Sequence, residues 1–431
     1  MKKRFLGILL SLCMALLLFP ATALADDTSE LQGLLSDPDI DKIVLERDYT
    51  ISSTLDVSYP VTLDLNGHVI RMTGSGRVIS IRDELTLQDS APEATHTGEN
   101  ASLPAGGVIT NSNSGGGVNV SGSFIMNGGI IKDCYGASYG GGVYVSGSFT
   151  MTGGTISGCR GKSGSVYVKS NQTFFANGGE IKDKVQSYGQ IRNTATDGGC
   201  TRFYGEVLNS RTTSGSGTIS GGVYYGGIRA DGGKVEDTYH TVSFQLNGGS
   251  GSAPTQWFVN IDTAPALRPA DPTKGDLTFT GWYTDAALTK LYNFDSAVTE
   301  NLILYAGFVR QLTVTYEFEH GSLADGRKTP ETVGEDTTLT LPDLEDCGAY
   351  RLTGWRVKSS DDTAIYSPGE KYVPKKNVTF VAVYESNATP NPGDGEIVET
   401  GDSRHPVLWL ALLLICAVGL AGAAVYRKNE R

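Results

Sequence analysis

An all-β chain built around a right-handed parallel β-helix is what this sequence predicts, and three features carry the expectation. Glycine supplies 55 of 431 residues and proline only 16, a glycine share far above the average of roughly 7%. Short runs of alternating apolar and polar residues fill the middle of the chain, the period of strands with one buried face. Side chains then recur at a spacing of 25: Gly128-Gly129, Gly153-Gly154 and Gly178-Gly179; Phe124, Phe149 and Phe174; Ile131, Ile156 and Ile181. Three strands per turn, repeated in register, stack like residues on like about 4.8 Å apart. One turn cannot bury its own apolar residues, but a stack can. A β-sandwich, the competing all-β arrangement, gives no reason for one fixed interval.

Composition removes other classes. Hydrophobic residues make up 39% and charged residues 19%, enough apolar side chain for a core and too little charge for a coiled coil or a charge-rich disordered chain. The glycines follow no Gly-X-Y repeat, so collagen is excluded. A net charge of −12 argues against a nucleic-acid footprint of clustered Lys and Arg.

The first element, residues 1–25, reads as a secretory signal. Lys2, Lys3 and Arg4 precede an apolar run from Phe5 to Phe19, and Ala23-Leu24-Ala25 offers a small-x-small cleavage site before Asp26. A retained N-terminal anchor is the alternative. Cleavage leaves 32 basic against 47 acidic residues, a mature charge near −15 and a surface that repels acidic polymers.

Residues 26–240 are expected to form the β-helix. Ser29 to Leu35 is a short amphipathic stretch suited to closing the first turn, since solenoid ends need a cap. Val61-x-Leu63-x-Leu65 runs into Asn66-Gly67, then Val69-Ile70, Val78-Ile79-x-Ile81 and Leu85-x-Leu87 continue the pattern upstream of the 25-residue units. Within those units Val118-Asn119-Val120 matches Val143-Tyr144-Val145, and Thr218 to Val223 looks like a last turn. Leu63-Asp64-Leu65-Asn66-Gly67-His68, with the later Gly-Gly-x-Ile units, resembles the pectin-lyase-like β-helices of bacterial surface proteins. That resemblance implies polysaccharide cleavage as a job the fold often does.

Trp, Tyr, Pro and charge return in residues 241–310. Val242-Ser243-Phe244-Gln245-Leu246-Asn247-Gly248-Gly249, Pro272-Thr273-Lys274, Phe279-Thr280-Gly281-Trp282-Tyr283, Tyr292-Asn293-Phe294 and Leu304-Tyr305-Ala306 keep their order over some seventy residues. This stretch resembles the internalin-type B repeat, which implies a small β module of ubiquitin-like fold. Trp282 and Phe279 read as core anchors and Asn247-Gly248-Gly249 as a turn. Residues 311–385 hold a diverged copy: Leu312-x-Val314-Thr315-Tyr316, Leu352-Thr353-Gly354-Trp355 and Val378 to Ala382, with Glu319-His320-Gly321 where the first copy has its turn.

Residues 386–406 read as an extended spacer, rich in Asn, Pro, Gly and acids. Val407 to Tyr426 are 20 residues without a charge, long enough for a transmembrane helix. Trp409 and Tyr426 lie near its ends, and the tail 427–431 carries Arg427, Lys428 and Arg431, a positive-inside stop. Ile397-Val398-Glu399-Thr400-Gly401-Asp402 before this span resembles the LPxTG-type sorting signal of Gram-positive surface proteins, with Val398 replacing the family's Pro. The resemblance implies sortase cleavage between Thr400 and Gly401 and linkage of Thr400 to the cell wall; permanent membrane anchoring is the alternative.

Catalytic chemistry is sparse. None of His68, His96, His240, His320 and His405 pairs at a metal-ligand spacing or beside a nucleophile elbow. The Gly-rich runs lead into strands, so no phosphate loop is expected. The one enzymatic arrangement is Asp133 and Asp183, two turns apart and so about 9.6 Å, near the upper limit for an inverting carboxylate pair; Lys132 and Lys182 repeat beside them. Cys134 and Cys159 fall one period apart, within reach of a disulfide, while Cys200 and Cys347 have no evident partner. The expectation is an exported surface-display or adhesion protein with an extracellular glycan or protein ligand, no catalytic residues, no cofactor, no metal and no nucleic acid. A carbohydrate-active enzyme on the β-helix face is the alternative.

Overall fold

The computed structural model describes residues 26–387 apart from 112, 138, 198, 213–214, 237, 336 and 359–362. The expected signal, nearly all of the spacer, Thr400, Gly401 and the span 407–426 lie outside the described residues. Among the described residues no helix is long and apolar enough to cross a membrane. The chain divides into two compact units after Arg310.

The first unit is dominated by three sheets of parallel strands that the chain visits in rotation. One coil runs from Val61–Asp64 in the first sheet to Val69–Met72 in the second and Ile79–Ile81 in the third. Eight such coils stack, an arrangement consistent with the expected β-helix. Pairing across coils is in register: Phe124 lies beside Phe149 and Phe149 beside Phe174 in the first sheet, and Ile131, Ile156 and Ile181 line up in the second. Each of these residues is fully buried. The Phe rings stack at centroid distances of 5.1 and 4.6 Å, adding an aromatic contribution to about 1.5–3 kcal/mol of burial per side chain. Gly129, Gly154 and Gly179 turn the corner below them with φ of +79°, +81° and +76°. A Cβ on Gly154 would lie 2.6 Å from the Gly129 carbonyl, so this corner admits only glycine.

The period is not uniform. Between Glu84–Gln88 and Val108–Asn111 the chain inserts a long excursion. Asp89 pins both of its ends, accepting hydrogen bonds from Gly67 N and Gly107 N at 2.7 Å each. At the N-terminal end, helix Thr28–Leu35 buries Leu31 and Leu35 against the first coil, as the sequence leads one to expect. Gln32 completes the cap: its side chain accepts from Asp56 N and donates to Asp56 O.

At the other end the second sheet does not stop. Gly222–Tyr224 pairs antiparallel with Gln256–Val259, which pairs in turn with Tyr239–Gln245. Residue 240 therefore lies inside a strand. Tyr239–Gln245 runs parallel to the start of Leu302–Glu317, and Leu277–Tyr283 completes a four-stranded mixed sheet. Its core joins Trp282, Phe258, Leu304 and Val242 to Val223 and Tyr225 of the last coil, so this module covers the end of the second sheet. Asn247 and Gly248 adopt φ of +49° and +80°, forming the expected turn, and Phe279 packs edge-on against Trp282 at 5.6 Å.

The second unit repeats that sheet. Leu302–Glu317 from Gln311 onward pairs antiparallel with Glu331–Gly334 and parallel with Val378–Ser386, which pairs antiparallel with Tyr350–Val357. Even the irregularity recurs, between Phe279 and Gly281 in one copy and between Leu352 and Gly354 in the other. Trp355, Phe380, Val314 and Leu352 form its core.

Candidate functional site

The corner after the second sheet gathers the residues singled out for catalysis. Asp133 takes φ +51° and Gly158, one coil on, takes +65°. A Cβ on Gly158 would lie 2.0 Å from Asp133 Oδ1, so the Asp133 carboxylate lies over the glycine. Asp183 reaches back from the opposite side, its Oδ2 accepting from Cys159 N at 3.0 Å. Both carboxylates thus converge on the middle coil. Burial pushes the Asp183 carboxyl above its ordinary range and the Asp133 charge adds to the shift, while the Cys159 N–H, Arg160 and Lys132 oppose it. Lys132 pairs with Asp133 at 3.2 Å. Lys182 instead pairs with Glu180 at 2.5 Å and lies over the Tyr204 ring at 3.6 Å. The two lysines that repeat in sequence therefore take different ion-pair partners. A cavity of about 450 Å³ opens beside Lys132 and Lys182, roofed by Leu103 and Pro104 of the inserted excursion.

The remaining candidates make local contacts. Among the described residues no group of three or more His, Cys, Asp or Glu is placed to hold a metal ion. Cys134 and Cys159 are both free and buried, their thiols donating to the carbonyls of Lys132 and Ser157 at 3.4 Å each, and the neighbouring Cys159 thiol, with burial, pushes the Cys134 thiol well up. Cys200 is buried and Cys347 half-buried, each thiol raised first by desolvation; a raised thiol is a poor nucleophile. His68 faces Asp48 at 3.4 Å, His96 Nε2 lies 2.8 Å from Gly106 O, and His320 stacks on Tyr350 at 4.2 Å.

A second surface was not foreseen. On the outer face of the third sheet Tyr144 and Tyr167 are cross-strand neighbours, their rings stacked at 5.4 Å and 3°. Tyr139, 48% exposed on the preceding turn, leans on both at 5.8 and 4.9 Å, and Tyr188 extends the row beyond Tyr167 at 5.7 Å. Arg77 closes the near end over Tyr144 at 5.5 Å. Its guanidinium donates to the carbonyls of Val118 and Gly140 at 3.3 Å each and of Tyr139 at 3.5 Å, which fixes the turn that carries Tyr139. Burial and the neighbouring phenols push the Tyr167 hydroxyl up to about 12, so it stays a neutral donor. Rigid, amphipathic rings held in place before binding are the side chains that dominate contact surfaces.

Residues 240–307 and 313–383 each match the model of the Listeria-Bacteroides repeat domain. Internalin H of Listeria monocytogenes is 31% identical over 131 residues, 30% of this chain and 22% of that protein. An Evansella cellulosilytica protein, provisionally named a membrane protein, is 29% identical over 161 residues, 36% of this chain and 23% of its own length. A Gly-rich protein of the same organism, named in the same way, is 38% identical over 122 residues, 28% of this chain and 13% of its own. The chain thus aligns with less than a quarter of each of these relatives. No solved structure matches it. The two modules that share one strand order and one sheet irregularity are therefore two copies of an internalin-like repeat.

Proposed function

We propose that this is a bacterial cell-surface display protein that adheres to an extracellular partner through the tyrosine face, without catalysis. The observation that carries the reading is the row Tyr139, Tyr144, Tyr167 and Tyr188 along one side of the coils, with Tyr139 exposed, the other three half-buried and Arg77 packed over Tyr144. Two internalin-like repeats and relatives named as internalin or membrane proteins support placement at the cell surface. In this reading the signal ends at Ala25, the repeats stand on the spacer, and the chain is held by the helix 407–426 or by sortase linkage through Thr400. The test is a binding screen of the chain from Asp26 to Glu385 against arrayed glycans and matrix proteins. The ligand found should lose at least tenfold affinity for Tyr144→Ala/Tyr167→Ala, and retention by that variant would move the contact elsewhere.

The second reading is a carbohydrate-active enzyme. It is favoured by the convergence of Asp133 and Asp183 on one coil and by the burial that raises the Asp183 carboxyl, the direction a general acid requires. Reducing ends released from pectin or mucin, and lost in Asp133→Asn or Asp183→Asn, would establish it over the adhesion reading.

A further inference from the structure

The tyrosine row belongs to a longer register that is complementary to itself. In the third sheet the outward position of the eight coils is occupied in order by Asp56, Ser80, Asn119, Tyr144, Tyr167, Gln186, Leu208 and Arg229, each paired to the next. An acid stands at one end, a base at the other, and the two stacked tyrosines occupy the midpoint. The division of charge extends beyond the row: residues 26–105 carry fifteen acidic against five basic side chains, and 106–235 carry six against eleven.

We propose that this face binds a second copy of the chain, antiparallel, about a two-fold axis between Tyr144 and Tyr167. The inference rests on the reading of the tyrosine face as the contact surface and names what it contacts. A two-fold interface uses one patch on both copies and must be self-complementary. With the axis at the midpoint, Tyr144 meets Tyr167 of the other copy, Asn119 meets the coil of Gln186, Ser80 meets Leu208, and Asp56 meets Arg229. Gln186 is buried and its amide is bonded to Leu208 O and Ser210 Oγ, so that level contributes packing only.

The ends are poised for the pairing. Asp56 is bonded to Arg82 at 3.2 Å and Arg229 lies 3.6 Å from Glu206, all on the surface. Docking joins them into the alternating series Arg82, Asp56, Arg229, Glu206 at each end, and a network outperforms an isolated exposed pair. Seven steps of about 4.8 Å make the row about 34 Å long. With a width of about 20 Å, six residues of strand and turn, each copy buries about 700 Å², close to the roughly 800 Å² per partner of a standard interface. Because the coils run antiparallel, the last coils lie at opposite ends of the pair, which suits copies displayed on facing cells.

Charge reversal with exchange tests the pairing. The full chain in non-ionic detergent is followed by analytical ultracentrifugation as wild type, as Asp56→Arg, as Arg229→Asp, and as an equimolar mixture of the two variants. The wild type should be dimeric and each variant alone should dissociate at least tenfold more readily. The mixture should recover the dimer, because each copy then supplies the charge the other has lost at both ends. Thermal melts by circular dichroism confirm that each variant is folded. A monomeric wild type, or variants that sediment like it, would overturn the pairing. Adherence that still depends on Tyr144 and Tyr167 would then keep the adhesion reading with a different partner, whereas a dimer without adherence would retire that reading and keep the pairing.

Discussion

Trp282 and Trp355 occupy the same place in the two repeats, opposite Ala306 and Ala382 on the neighbouring strand, but only one has a partner for its indole N–H. Trp355 Nε1 donates to the Pro342 carbonyl at 2.7 Å, whereas Trp282 Nε1 is buried with no partner among the described residues. Trp355→Phe strands the Pro342 carbonyl, while Trp282→Phe removes a donor that was already unsatisfied. The first substitution should therefore cost about 1 kcal/mol more than the second in urea unfolding. Equal losses would mean that the Pro342 bond contributes nothing.

Phe149 tests the stack of coils. Its side chain is fully buried between Phe124 and Phe174, so Phe149→Asp places an unpaired charge in the core at a cost of several kcal/mol. The variant should lose its cooperative thermal transition by circular dichroism. A melt like that of the wild type would put Phe149 on the outside and break the assigned register.

The parts of the fold that could be read in advance are those where identical residues face inward at a constant interval. Phe124, Phe149 and Phe174 announce the coils because identical rings stack at one level of the ladder over three successive coils, before Leu85 on one side and Ile191 on the other take the same position. The tyrosine row escaped because its interval differs. Val143–Val145 pairs with Val166–Val168, 23 residues on, after a turn two residues shorter than the repeat. Tyr139 joins from a turn and has no periodic signature at all. The cover on the last coil was equally silent, since Gln256–Val259 meets Gly222–Tyr224 antiparallel, a pairing that leaves no internal repeat. In contrast, Asp133 and Asp183 were legible as a pair. Their convergence on one coil was not, because it depends on where each side chain turns.

Two carboxylates should respond to acid in opposite senses. Asp26 accepts from Thr28 N and from both Ser52 N and Ser52 Oγ, with the Ser52 hydroxyl first among the bonds that hold its carboxyl down to about 2 from the ordinary 3.8. Its contribution to stability is present above 3.8 and is lost as the pH falls through about 2. Asp183, raised by burial, contributes the reverse: stability present below 3.8 and lost as the pH rises through its elevated value. Asp26→Asn should flatten the stability profile between pH 4 and 2, and Asp183→Asn should leave neutral-pH stability equal or higher. Urea midpoints from pH 2 to pH 7 measure both, and a drop in the Asp183→Asn midpoint at pH 7 would contradict the assigned shift.

The anchor can be read from its terminus. If sortase accepts Val398 in place of Pro, the mature chain ends at Thr400 and resists detergent until wall hydrolases release it. Mass spectrometry of the C-terminal peptide is expected to find that end. An intact tail through Arg431 in most molecules would make the helix 407–426 a permanent anchor instead.

Adherence of cells displaying the full chain tests the adhesion account most directly, scored for wild type and for Tyr144→Ala/Tyr167→Ala at matched surface expression. Both rings lie half-buried on the outer face, so the double substitution spares the core that Phe149 and its neighbours build. The account predicts that wild-type cells adhere and that the variant loses most of that adherence while melting at the wild-type temperature. Undiminished adherence by the folded variant would contradict it.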